Sequence, residues 1–169
     1  MKPTMYLCLC AFIFLSSRCQ SPLDDLPTET QEGKNTFGFL LNGQAWEPEG
    51  RAGLTSNLKR FLEPHSGIFN IGTYKINKIS HQYAGVALRS LKNVGIYQLD
   101  GYNGIINFED LKKACQYRWD GIDKQEGWIE ITKYDTKNYI VSGRFEAVLT
   151  TKDCEIIKIT HGRFDVKFQ

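Results

Sequence analysis

The chain has 169 residues, 41% of them hydrophobic and 24% charged, with a formal net charge of +2. Both surplus cations, Lys2 and Arg18, stand before Cys19 in a stretch without acids, so from Cys19 onward the 19 remaining Lys and Arg balance 19 Asp and Glu. That balance excludes the clustered cationic face of a nucleic-acid binder, and the length suits one domain with its own core.

Residues 1–18 have the layout of an export signal peptide. Lys2 precedes the apolar run Met5–Leu15, and Ser16-Ser17-Arg18-Cys19 follows. The run is shorter than the roughly 20 residues a membrane-spanning helix needs and falls within the about 7–15 residues of a signal-peptide apolar region. Cys19 is the expected lipid anchor. A lipoprotein signal usually ends Leu-x-small-Cys; here Leu15 is one residue further away and Arg18 stands where a small residue is usual. Acyl chains such as palmitate on one cysteine hold a protein to a membrane because each buried methylene contributes about 0.8 kcal/mol.

Residues 19–35 are polar and acidic and contain Pro22 and Pro27. Such a composition buries too little apolar surface to offset the entropy of ordering. The expectation is a flexible acidic tether with a reach on the order of 20 Å.

Residues 36–169 are expected to form a single β domain. Thr36–Leu41 alternates apolar and polar residues, and Asn42-Gly43 tolerates the positive φ angles of a tight hairpin turn leading into Gln44-Ala45-Trp46. Further strands are predicted at Gly67–Ile76, Tyr83–Arg89, Val94–Leu99, Ile105–Phe108 and Cys115–Trp119, with Asp100-Gly101, Asn103-Gly104 and Asp120-Gly121 as turns. Trp128–Tyr134 and Tyr139–Leu149 read as a hairpin across Asp135–Asn138. In the second of these strands Val141, Phe145, Ala147 and Leu149 face inward, and Ser142, Arg144 and Glu146 face outward. The last strand, Gly162–Phe168, turns Phe164, Val166 and Phe168 inward and Arg163, Asp165 and Lys167 to solvent. Two short helices are predicted, at Thr55–Leu62 before Pro64 and at Phe108–Ala114. The fold class is therefore all-β: an antiparallel β-sandwich or β-barrel of roughly 8–10 strands with at most one or two short helices.

The mature chain keeps Cys115 and Cys154 besides the anchor. Outside the cytoplasm they are expected to form a disulfide. Closing that loop stabilises by about 4 kcal/mol on the chain-entropy account.

Several segments carry a resemblance. Gly33–Gly38 with Leu41–Trp46, then Val94–Tyr97, Ile140–Glu146 and Ile157–Val166, are similar to small lipoproteins of Bacteroidota that have no assigned activity. Thr160–Asp165 is the most specific part. The resemblance spans nearly the whole mature chain. It implies a lipid-anchored β domain of the cell envelope, at the outer membrane and facing either the periplasm or the cell surface. Acids soon after Cys19 also resemble the surface-export signal of such proteins. The family supplies no catalytic residues.

No motif for a serine hydrolase, a zinc protease, a phosphate loop or a dinucleotide fold is present. His65, His81 and His161 are scattered and read as surface residues. Glu130, Glu146 and Asp165 read as outward carboxylates beside Arg144, Arg163 and Lys167, a cross-strand ion-pairing arrangement. Asp100 and Asn103 offer too few oxygens for calcium. No catalytic residue, cofactor or metal is expected.

Aromatic residues are the better lead to a ligand. Trp119, Trp128 and Tyr117 are the candidate binding residues, close together across the Asp120-Gly121 turn, where rings exposed on a rigid sheet would stack on a sugar or anchor a partner. Core packing is the competing account of each. The expected function is a non-catalytic binding or accessory module for a glycan, small ligand or envelope protein. The alternatives are an envelope hydrolase without a recognisable motif and a structural surface protein.

Overall fold

A computed structural model describes residues 21–51, 57–118, 120–121 and 124–168. The described strands are β1 (Thr36–Leu41), β2 (Gln44–Trp46), β3 (Leu58–Glu63), β4 (Ile68–Ile76), β5 (His81–Leu88), β6 (Gly95–Gln98), β7 (Gly104–Asp110), β8 (Cys115–Tyr117), β9 (Lys124–Asp135), β10 (Ile140–Thr150) and β11 (Ile157–Lys167). They form two antiparallel sheets, a six-stranded one ordered β2-β1-β11-β10-β9-β6 and a five-stranded one ordered β3-β4-β5-β7-β8. The sheets pack face to face and stay separate, so the fold is a β-sandwich and not a closed barrel.

Side-chain alternation builds the core. Phe37 and Phe39 of β1, Phe145 and Leu149 of β10, and Phe164 and Val166 of β11 turn inward from the larger sheet. Phe69 and Ile71 of β4, Val86 and Leu88 of β5, and Ile106 and Phe108 of β7 meet them from the smaller one. Phe39 stacks on Trp46 at 4.8 Å between ring centroids and meets Phe108 edge-on at 6.5 Å. A polar chain also crosses the core: Trp46 Nε1 donates to Gln82 Oε1 at 2.8 Å, and Gln82 Nε2 donates to Asp110 Oδ2 at 2.9 Å. Each buried polar group of that chain has a partner, which removes the cost of desolvating it.

The predicted disulfide is present. Cys115 at the start of β8 joins Cys154 in the β10–β11 loop, with the Cα atoms 6.0 Å apart. It ties an edge of the smaller sheet to the larger one.

Both predicted helices are corrected, the first to strand over its described residues (55 and 56 lie outside them) and the second to a strand end and a turn, and no helix occurs among the described residues. Leu58, Phe61 and Leu62 have helical spacing, yet Leu58–Glu63 pairs in full with β4. Its sandwich-facing positions are Leu58, Arg60 and Leu62, and the arginine in the middle hides the alternation. Phe108–Asp110 completes β7, and residues 111–114 form the turn into β8.

Residues 26–34, expected as part of a free tether, lie against the outer face of the larger sheet. Leu26 is buried, and Pro27 covers Gly38, where a Cβ would come within 2.7 Å of the proline ring.

Candidate functional site

Two depressions bear on function, one on each outer face of the sandwich. The first lies under the strap formed by residues 27–34. Asp165 of β11 points outward, as alternation requires, but it is only 1% exposed. It takes hydrogen bonds from Thr30 Oγ1 at 2.5 Å and from the backbone N–H groups of Glu32, Gly33 and Lys34 at 3.1, 2.9 and 3.0 Å. Ser142 Oγ on β10 donates another at 2.7 Å. Burial alone would raise the carboxyl pKa; these bonds to the charged form override it and hold the pKa at about 2. Gly33 makes the curl possible. Its φ is +74°, and a Cβ there would sit 2.9 Å from Cβ of Lys167.

Beside this clasp is a cavity of about 290 Å³ lined by Thr28, Thr30, Gln31, Thr132, Arg144 and Arg163, among others. Its carboxylates are committed elsewhere. Glu29 Oε2 accepts from Arg144 Nε at 2.8 Å and from Arg144 Nη2 at 2.6 Å, and Asp165 is saturated with donors. A carboxyl held ionised with a pKa of about 2 is a poor general acid or base near neutral pH. The outward, solvated position expected for Asp165 is corrected by the strap. The expected pairing of Glu130 with Arg144 is present at 3.7 Å.

The aromatic residues singled out from the sequence do not gather into one site among the described residues. Tyr117 is 1% exposed and packs against Phe108 at 6.2 Å, so it belongs to the core and is no surface ring. Its hydroxyl donates to the carbonyl of Glu155, and burial pushes its pKa up. Trp128 is half-buried on the outer face of β9, opposite Glu146 of β10. It borders a shallow groove with Gly127, Ala147, Lys158 and Thr160. Trp119 and Cys19 lie outside the described residues. His65, His81 and His161 are exposed, and no cluster of metal-ligating side chains occurs among the described residues.

The second depression was not anticipated. On the outer face of the smaller sheet, Tyr74 of β4 and Tyr83 of β5 are register partners, and so are Gly72 and Gly85. With no side chains on the two glycines, the hydroxyl end of Tyr83 lies down over both. A Cβ on Gly72 would be 2.5 Å from Tyr83 Oη, and one on Gly85 would be 2.6 Å from it. The tyrosine rings are 5.1 Å apart and inclined at 56°. Burial raises the Tyr83 pKa, reinforced by Tyr74 and Glu109, so its hydroxyl is un-ionised at neutral pH. Around the rings, Asn107, Glu109, Leu111 and Arg118 complete a trough of about 360 Å³. Arg118 faces Glu109 at 3.9 Å and Asp120 at 3.2 Å.

A sequence signal for this trough exists. Gly72-x-Tyr74 and Tyr83-x-Gly85 mirror each other about the turn 77–80, and period 2 places all four residues on one face. That turn is closed by Asn77, whose side-chain oxygen accepts from the N–H groups of Ile79 and Ser80 at 3.0 and 2.7 Å.

Compared with protein-family models, curated proteins and solved structures, the chain matches none.

Proposed function

We propose that this chain is a lipid-anchored protein of the cell envelope, held at the outer membrane and facing the periplasm or the cell surface, that binds a ligand without transforming it. The tyrosine trough carries this reading. It presents aromatic rings on the central strands of a rigid sheet, with hydrogen-bonding side chains at their edge, an arrangement that recognises a ligand by shape and polar contact. The strap cavity supports the same reading from the other side, because Asp165 is an anion saturated by donors and Glu29 is hydrogen-bonded to Arg144. Membrane attachment is supported by the Met5–Leu15 leader closed by Cys19 and by the resemblance to Bacteroidota lipoproteins.

Two measurements test the reading. Cell fractionation should find the wild-type protein in the membrane pellet and the Cys19→Ala variant released from it; a variant that still pellets removes the lipid anchor from the proposal. Immobilised full-length protein should retain a component of envelope extract that Tyr83→Ala fails to retain. Turnover of a defined substrate in the strap cavity would replace binding with catalysis.

A further inference from the structure

The chemistry around Tyr83 narrows the class of ligand. The trough lies over β4, β5 and β7; β4 and β5 are hydrogen-bonded to a strand on each side, while β7 pairs with β5 along its length and with β8 only over Phe108–Asp110. Over β4 and β5, where the two tyrosines lie, a peptide therefore cannot bind by adding a strand, since both sides of each strand are already taken by neighbours. There the ligand must be held by side chains alone. One side of the Tyr83 phenol end is occupied by the backbone of Gly72 and Gly85, and the ring forms a bent wall with Tyr74. A flat, rigid ring backed by main chain loses little entropy on engaging a second flat surface. A pyranose has such a surface in its C–H face and carries hydroxyls around its edge. Glu109 supplies acceptor oxygens at the trough wall, the kind of group that pairs with vicinal hydroxyls.

Local charge then selects among sugars. One guanidinium, Arg118, stands among two carboxylates, Glu109 and Asp120. The lining carries one carboxylate and one guanidinium, and that guanidinium is already engaged, so a uronate, sialate or phosphate finds no surplus positive charge in the trough lining.

We propose that the Tyr74–Tyr83 trough binds an uncharged pyranose unit of a glycan, stacked on Tyr83 with its hydroxyls on Glu109. This rests on the binding-module reading above and names its ligand class.

Affinity electrophoresis of the full-length protein in non-ionic detergent tests it. Gels would contain dextran, starch, mannan, xylan or laminarin as neutral polymers, and alginate or polygalacturonate as acidic ones. At least one neutral polymer should retard the protein, and neither acidic polymer should. Tyr83→Ala should weaken that retardation about tenfold, the loss expected for one stacking ring. Tyr83→Phe should leave it nearly unchanged, and Glu109→Ala should weaken it. If Tyr83→Ala fails to fold by circular dichroism, Glu109→Ala and Tyr74→Ala decide the matter instead. Retardation by acidic polymers only, by no polymer at all, or equally in wild type and the folded trough variants overturns the inference. Should a Tyr83-dependent component of envelope extract still be retained in that case, the glycan assignment alone falls. Should nothing depend on Tyr83 in either experiment, the binding reading falls with it.

Discussion

Asp165 shows how one residue can change character through its neighbours. By alternation it belongs to the solvated face of β11, and the strap converts it into a buried anion with donors on both oxygens. Its pKa is about 2, against an ordinary value of 3.8. A carboxylate with a depressed folded-state pKa stabilises the protein above its unfolded pKa, and that contribution is lost as pH falls through the folded one. The window is therefore pH 4 down to pH 2, and the amount is about 2 kcal/mol. Asp165→Asn should cost about 3 kcal/mol at pH 7, because an amide nitrogen is turned toward groups that donate. Urea unfolding at pH 7, 4 and 2 checks both statements: the gap between wild type and variant should narrow toward pH 2. A gap that does not change with pH would show that the charge on Asp165 is not what holds the strap.

At the scale of elements, the disulfide is one of several links on the same loop. Cys115 and Cys154 join β8 to the β10–β11 connection, Tyr117 of β8 donates to the Glu155 carbonyl, and Lys113 Nζ meets Glu155 at 3.0 Å. Replacing both cysteines by serine should lower stability by about 4 kcal/mol if the crosslink acts on the unfolded chain alone. Differential unfolding of the double variant against wild type measures this, and a much smaller loss would mean that Tyr117 and its neighbours already hold the loop. The strands legible in the sequence were those in which alternation is unbroken, such as β10 with Val141, Phe145 and Ala147 inward. β3 lacks that signature because Arg60 occupies a sandwich-facing position. The trough is hidden in the sequence for a different reason. Aromatic weight points to the tryptophans, whereas the site depends on two glycines that become neighbours only through the β4–β5 register. Tyr117 illustrates the reverse, a polar-tipped ring at a strand end that sequence cannot assign to core or surface.

For the molecule as a whole, the strap decides how much of the N-terminal segment is a tether. Composition alone makes residues 19–35 a coil, because the segment has little apolar surface of its own. The folded domain lends it what it lacks: Gly38 as a seat for Pro27, Asp165 as an acceptor, and Arg144 and Lys133 as partners for Glu29 and the Gln31 carbonyl. With a lipid on Cys19, only the few residues before Leu26 would then separate the sandwich from the membrane, a spacing set by the fold and not by the length of the acidic segment. Deleting residues 20–34 removes the donors from Thr30, Glu32, Gly33 and Lys34 and leaves Asp165 with Ser142 as its surviving partner among these groups. The deletion should therefore destabilise the domain by several times the roughly 1 kcal/mol of an ordinary hydrogen bond. It should also raise the Asp165 pKa toward its ordinary value, because the donors that outweigh burial leave together with the strap that buries it. The two changes are coupled through one carboxylate. Asp165→Asn should cost much less in the deleted chain than in the full one, with a coupling of about 1–3 kcal/mol in a double-mutant cycle. Additive costs would mean that the strap is held by its flanking contacts, Pro27 on Gly38 and Glu29 on Arg144, and that Asp165 only passes beneath it.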